Sequence, residues 1–445
     1  MTRERIAWLL SLALMATAVF IYPSSAQRDS DYLFVRTLVD IHRQVVANYV
    51  EPVDQARLEQ ACIDGMLNQL DPFTTYVPPA RREEFDRMIE GTFRGVGIQL
   101  NQLPNGAVEV VTPIDGSPAF RAGVKAGDII LKVNGESIEG LRLPDVIRKI
   151  GGEIGTEVRL LVRHATGEEV ELKMKRDEVV LPTVKGFRRL PDDTWDYYCL
   201  DNPKTAYIRI TQFTPTTVET IRPVLQRLVG EGMAGLILDL RWNPGGQLEQ
   251  AVQLVDLFID KGTIVITRGR RRPEHRSEAS APGTLPWFPM VVLVNEHSAS
   301  AAEIVAGSLM DNRRAVVVGR RTYGKGSVQE LIPLEGGGGE LKLTVAYYYL
   351  PGGRLVHRRK GAADWGVEPH IDVPMDEQTQ RKVLDERAEQ EKFLRPTTSP
   401  TTRPAPRGTL SDVQLQRAID TIILMTLLRQ QPPATAPSTA PASAP

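Results

Sequence analysis

Two residues with complementary chemistry, Ser300 and Lys325, lie in the stretch VVLVNEHSASAAEIVAGSLMDNRRAVVVGRRTYGKGSVQ, residues 291–329. A serine hydroxyl is a poor nucleophile until a neighbouring base takes its proton. A lysine amine can be that base only where its surroundings lower its pKa, because the ammonium form has no lone pair. The residues between them have the pattern needed to hold both. Met290–Val294 is an apolar run that predicts a buried strand, broken by Asn295-Glu296-His297. Ser300-Ala301-Ala302-Glu303 has the form of a capping box, which predicts a helix from here to about Asp311. Ala315–Val318 reads as a second strand, and the turn Arg320–Gly326 carries Lys325. Gly324 and Gly326 leave the backbone on either side of Lys325 free to approach another element. The first amides of the helix after Ser300 could donate to an oxyanion. Taken alone, the pair has a plainer reading: Ser300 as an ordinary N-cap and Lys325 as a solvated turn residue.

The wider pattern resembles the C-terminal processing peptidases, also called tail-specific proteases, which are PDZ-containing Ser–Lys endopeptidases. Ser298-Ala-Ser-Ala-Ala-Glu-Ile304 is similar to their nucleophile motif, and Tyr323-Gly-Lys-Gly-Ser-Val-Gln329 to their base motif. The resemblance implies Ser300 as nucleophile, Lys325 as general base and Gln329 as the residue that orients the lysine. It also implies that the turn Arg241-Trp-Asn-Pro-Gly-Gly246 contributes an oxyanion amide. Within the Gly245–Gly246 pair that role falls to Gly246, with Ala301 as the second donor. Trp242 stands where the family usually has a smaller or polar residue, which leaves the local pocket shape open.

The elements around these motifs read as a mixed α/β core. Thr205–Phe213 alternates as a strand, Thr217–Leu228 reads as a helix, and Gly235–Leu240 is a buried strand ending in the glycine turn. A helix over Gln247–Ile259 and a hairpin over Leu331–Leu350 follow. Tyr347–Val356 and Gly366–Asp372 are similar to the family's closing strands.

Phe93–Lys175 resembles a PDZ domain. Gly95, Val96, Gly97 and Ile98 begin the loop and strand that would receive a peptide carboxylate. The two glycines permit a nest of amides, and a free strand edge permits β-augmentation. Ser117-Pro-Ala, then Ala122–Ile130 and the Val133-Asn-Gly135 turn, carry the second signature. Leu143–Ile150 is expected to be the helix lining the groove.

The fold class expected is multidomain α+β. Residues 1–26 read as a signal peptide or signal anchor, with basic Arg3 and Arg5, a mostly apolar run Ile6–Tyr22 and small residues at Ser24–Ala26. The remaining divisions are a helical region over 27–90, the PDZ domain over 91–178 as a small β-barrel with helices, and the protease core over 179–375. A C-terminal helical region with a Pro/Thr linker at Thr397–Arg407 spans 376–430, including an amphipathic helix Asp412–Leu428. A Pro/Ala/Thr/Ser tail expected to be disordered spans 431–445. Export is expected, to the periplasm or the outside, with membrane association through the N-terminal segment. Asp31–Ile89 suggests a helical cap or a dimerisation arm, so a homodimer or higher oligomer is expected.

Net charge is −1, so there is no global electrostatic case for nucleic acid. Cys62 and Cys199 are too few for a disulfide framework or a four-cysteine zinc site, and each reads as a small buried residue. The six histidines form no His-Glu-x-x-His motif, and neither metal nor cofactor is expected. Gly319–Lys325 mimics a P-loop, but Gly326 replaces the hydroxyl that would hold Mg²⁺, and the chain beyond it reads as strand. His297 as base is weak, because no Gly-x-Ser-x-Gly elbow surrounds the serine. The sequence therefore points to an exported endopeptidase acting on proteins with apolar C-terminal tails, with an adaptor protein as a further partner. The competing reading is a PDZ-based peptide-binding adaptor with an inactive protease fold.

Overall fold

A computed structural model describes residues 32–190, 194–201, 203–391 and 411–430. The signal segment, the Pro/Thr linker and the terminal tail lie outside these residues. The chain divides into two compact units, residues 1–76 and 77–445. In the first, helices cover residues 32–48 and Gln55–Leu67. The second helix is capped by Asp54, whose carboxylate accepts from the Arg57 amide. Cys62 is exposed on this helix, against the expectation that it is buried; Cys199 is buried, and both are free.

In the second unit, a short ribbon of Thr92–Gly95 against Asp177–Val180 pairs the entry and exit of the expected PDZ domain. The domain's sheet runs in the order Ile98–Gln102, Val108–Pro113, Ile129–Val133, Glu157–Arg163, Glu169–Lys175, all antiparallel. Strands at positions such as Val158, Leu160 and Val162 alternate inward, which gives the sheet one core face. The helix Leu143–Ile150 has the predicted bounds and packs Val146 and Ile150 into that core.

The part expected to be the protease core is built on a mainly parallel sheet. Its order is Val184–Lys185, Lys204–Ile210, Gly235–Asp239, Met290–Val294, Val316–Gly319, Ile371–Asp372, with only the first strand antiparallel along that path. Gly235–Asp239 and Met290–Val294 are buried at every position, as continuous apolar runs in a parallel sheet must be. Helices Thr217–Gly230, Leu248–Asp256 and Ala301–Asp311 carry the crossovers. The strand expected to reach Phe213 ends at Ile210; Phe213 instead forms an isolated bridge with Gly246. A second, antiparallel sheet contains Thr263–Gly269, Arg272–Glu278, Ser327–Pro333 and Glu340–Tyr349. The stretch after Lys325 is thus strand, as a P-loop reading would not allow.

Helices Glu377–Glu391 and Val413–Gln430 close the unit. Leu415, Ile419 and Ile422 of the last helix pack on the face formed by Ile237, Val291, Leu293 and Val318.

Candidate active site

Ser300 sits at the corner between the strand Met290–Val294 and the helix Ala301–Asp311. Its backbone is at φ 56°, ψ −118°. The expected capping box with Glu303 is present, but an ordinary N-cap occupies the β region and the Ser300 backbone does not. A serine at positive φ costs on the order of 1–3 kcal/mol and persists only where its surroundings impose it. Ser300 is only partly buried, whereas Ala299 and Ala301 on either side are buried.

The corner is held by hydrogen bonds from Glu303, three residues on, and from Tyr348 in another sheet. Glu303, fully buried, accepts from the Ser300 amide at Oε2 (2.8 Å) and from the Lys325 amide at the same oxygen (2.8 Å). Its Oε1 accepts from the Thr322 hydroxyl (2.5 Å) and the Gly324 amide (2.7 Å). The amide nitrogens of Ser300 and Lys325 are therefore at most twice 2.8 Å apart. Burial raises the pKa of this carboxyl, and the four hydrogen bonds act against that rise. Tyr348 adds a hydroxyl directed at the carbonyl oxygens of Ser300 (3.1 Å) and Lys325.

The glycine turn is fixed to the same corner. The Trp242 amide donates to Asn295 Oδ1 (2.9 Å), the Ala299 amide to the Asn243 carbonyl (2.9 Å), and Ser298 Oγ to the Leu240 carbonyl (2.8 Å). Gly245 and Gly246 are required by contact as well as by φ values of 100° and 140°. A Cβ on Gly245 would fall 2.6 Å from Ser300 Cβ, and one on Gly246 would fall 2.0 Å from the Phe213 carbonyl oxygen. The Gly245 amide is taken by Asn243 Oδ1 (2.8 Å). Among the described residues, the amides of Gly246 and Ala301 have no acceptor. The Phe213–Gly246 bridge explains this for Gly246: Phe213 exchanges bonds with Gly245 and Gln247, so the intervening amide points the other way.

Lys325 is partly buried. The close approach expected at its flanking glycines is to the segment 357–358: a Cβ on Gly326 would fall 2.4 Å from the His357 nitrogen, and one on Gly324 would fall 2.9 Å from Arg358 Cβ. Gln329 lies on the strand leaving the turn and donates through Nε2 to Ser327 Oγ (2.9 Å) and Thr344 Oγ1 (3.1 Å), which fixes its carboxamide. His297 is exposed, its amide bonded to Asn295 Oδ1. The structure thus gathers Ser300, Ala301, Gly246 and Lys325 at one corner, with Gln329 on the adjoining strand.

Gly95 ends the strand Thr92–Gly95 and Ile98 opens the strand Ile98–Gln102, with Val96 and Gly97 between them. The Val96 carbonyl accepts from the Ala119 amide (2.8 Å), and the Gly97 carbonyl from the Ile114 amide (2.9 Å). Gly97 has φ 80°, and a Cβ there would fall 2.2 Å from Ser117 Cβ. Ile98–Gln102 pairs on one side only, with Val108–Pro113, so its other edge is open among the described residues.

Sequence reasoning gave no role at the corner to several groups. Glu303 was visible only as half of a capping box, and Tyr348 only as a strand position. The turn also rests on a buried network: Arg241 bonds Asp239 and Asp412, and Arg387 reaches Asp239 Oδ2 at 2.6 Å while its guanidinium stacks 4.7 Å from the Trp242 ring centroid. Burial works to raise the pKa of Asp239 and Asp412, but Arg241 and Arg387 hold both below the usual carboxylate range. Among the described residues no group of His, Cys, Asp or Glu side chains is placed to hold a metal ion, and no helix is long and apolar enough to cross a membrane.

Residues 204–373 match peptidase family S41, and residues 109–164 match the PDZ domain. A carboxy-terminal-processing protease of Bartonella bacilliformis is 34% identical over 422 residues, which cover 92% of this chain and 92% of that protein. This chain belongs to peptidase family S41. The carboxy-terminal processing protease CtpA of Bacillus subtilis is 32% identical over 345 residues, 77% of this chain and 70% of that one. A solved photosystem II D1 C-terminal processing protease is 27% identical and covers 80% of this chain and 98% of its own, with a TM-score of 0.42. As a member of the C-terminal processing group of S41, the chain is a serine peptidase with a PDZ domain, acting on protein or peptide substrates, rather than an adaptor with an inactive fold.

Proposed function

We propose that this peptidase is an exported Ser–Lys endopeptidase whose PDZ domain selects and gates substrates by their apolar C-terminal tails. Ser300 attacks the peptide carbonyl, and neutral Lys325 takes its proton and returns it to the leaving amine. Water then hydrolyses the acyl-enzyme by the same route. The amides of Gly246 and Ala301 receive the oxyanion, aided by the N-terminal end of the helix Ala301–Asp311. Gln329 orients Lys325. The observation that carries this reading is the Ser300 backbone at φ 56°, held against a carboxylate that also binds the Lys325 amide, beside two amides without acceptors. Energy that a structure spends on holding a strained serine at a helix start has a ready use in presenting its hydroxyl.

The PDZ domain would bind the terminal carboxylate near Gly95–Ile98 and pair the tail with the open edge of Ile98–Gln102. Tail binding would then favour an assembled active site over a resting one. We expect export through the N-terminal segment, to the periplasm or the outside, with an adaptor protein as a further component. A homodimer or higher assembly would cover the exposed apolar side chains of Tyr32, Leu33, Phe34 and Ile41. The experiment is to incubate wild type and Ser300→Ala with an unfolded protein bearing an apolar tail. Cleavage by wild type alone, with tail binding retained in Ser300→Ala, supports the reading; cleavage by Ser300→Ala at a similar rate refutes it.

A further inference from the structure

The proton-transfer scheme leaves one buried hydroxyl at the corner without a task. Tyr348 is 1% exposed, on the strand Glu340–Tyr349 of the antiparallel sheet. Its amide donates to the Gly326 carbonyl (2.9 Å), which anchors it to the lysine turn. Its hydroxyl lies 3.1 Å from the Ser300 carbonyl oxygen and also bonds the Lys325 carbonyl oxygen. A phenol has one proton, so the two carbonyls and the neighbouring Glu303 carboxylate compete for it. Burial, then the charge of Glu303 and a hydrogen bond with its carboxylate, push its pKa well above the ordinary tyrosine value, so it stays a donor at any working pH.

The arrangement is reciprocal. Glu303 holds the amides of Ser300 and Lys325, and Tyr348 holds the carbonyls of the same two residues. The two catalytic residues come from different sheets: Ser300 follows a strand of the parallel sheet, and Lys325 precedes a strand of the antiparallel one. Tyr348, rooted in the second sheet, is the group that reaches the nucleophile's own peptide in the first. We propose that Tyr348 is a positioning residue for the reaction, its shared hydroxyl proton setting the distance between the Ser300 and Lys325 backbones. This rests on the Ser–Lys reading. It assigns Tyr348 no contact with substrate, so its loss acts on the chemical step and not on binding.

The test replaces Tyr348 with phenylalanine, with 4-fluorophenylalanine, which fills the hydroxyl's place without donating, and with 4-aminophenylalanine, which donates again. Steady-state cleavage of a tail-bearing unfolded protein is measured below the melting temperature of each form, with Lys325→Ala alongside. The two non-donors should lose on the order of 10²-fold in kcat with KM within about twofold of wild type, the scale expected for an ångström of misplacement. The amino form should recover most of the loss. A merely structural hydroxyl would lower the melting temperature of the non-donors and leave kcat alone. Should Tyr348→Phe fail to fold, the fluoro and amino forms decide. Equal kcat in those two, with Lys325→Ala inactive, overturns the positioning role alone. Retained turnover in Lys325→Ala overturns the Ser–Lys reading beneath it.

Discussion

Replacing Glu303 separates its roles by degree. Glu303→Ala removes the acceptor of three backbone amides, those of Ser300, Gly324 and Lys325, and of the Thr322 hydroxyl. The hydroxyl can turn elsewhere, but each buried amide left unpaired costs about 1–3 kcal/mol. The Gly324 bond is buried and those of Ser300 and Lys325 are half-buried, so the sum is at most roughly 3–9 kcal/mol, against a total stability of about 5–15 kcal/mol for a typical domain. Glu303→Gln is far milder. Its one carbonyl oxygen can still face the Ser300 and Lys325 amides, where both bonds met a single carboxylate oxygen. Its NH₂ can donate to Thr322 Oγ1, which has a second lone pair, and only the Gly324 amide then meets a donor. The expected cost is about 1–3 kcal/mol. Urea unfolding would measure stability, and initial cleavage rates of the folded fraction would measure function. The expected order is wild type, Gln, Ala in both, with Ala losing on the order of 10²-fold or more in kcat. If Glu303→Ala lost under about 1 kcal/mol and kept kcat within about threefold of wild type, Glu303 would not be what holds the two turns together.

Two further outcomes follow. If the PDZ domain reads free tails, amidating a substrate's C-terminus, or ending it in Asp, should slow cleavage several-fold. Initial rates on paired substrates decide this, and equal rates would leave the domain a structural role. Gly97→Glu is unsuited to that question, since a Cβ at Gly97 would collide with Ser117. The lowered pKa values of Asp239 and Asp412 fix a pH dependence. Unfolded carboxyls titrate near about 4, so the network's contribution is present above that pH and is lost as pH falls through the lower native values. Denaturant unfolding from pH 7 to 3 should show stability falling across the acid limb, and a smaller fall in Asp412→Asn; identical slopes would refute the assignment.

The strands and helices of the core were legible because burial leaves marks in order along the chain. Continuous apolar runs announced Gly235–Asp239 and Met290–Val294, and the Ser-x-x-Glu pattern announced the helix at Ala301. The corner's chemistry was legible as Ser300, Lys325 and the glycine turn, because a family pattern joined segments that periodicity leaves unrelated. What joins them physically was not. Glu303 and Tyr348 act on residues in other turns, and nothing local distinguishes a tyrosine whose hydroxyl crosses between sheets from the tyrosines beside it, Tyr347 and Tyr349. The capping pattern named the helix start and its Glu303–Ser300 bond, but carried no mark of the Ser300 φ of 56°. Asp412 and Arg387 reach the glycine turn from the C-terminal helices, far outside any window in which spacing carries information. Cys62 is exposed because the helix Gln55–Leu67 buries only Leu67, although its apolar spacing suggested a fuller inner face.

The most direct measurement of the central claim compares Lys325→Arg with Lys325→Ala on a tail-bearing unfolded protein, after confirming that both fold and bind the tail. Arginine keeps the charge and much of the length but does not give up its proton at working pH. If Lys325 is the base, both variants should fall by on the order of 10²–10⁴-fold in kcat, Arg as completely as Ala. Robust turnover by either variant would contradict a lysine base at this site.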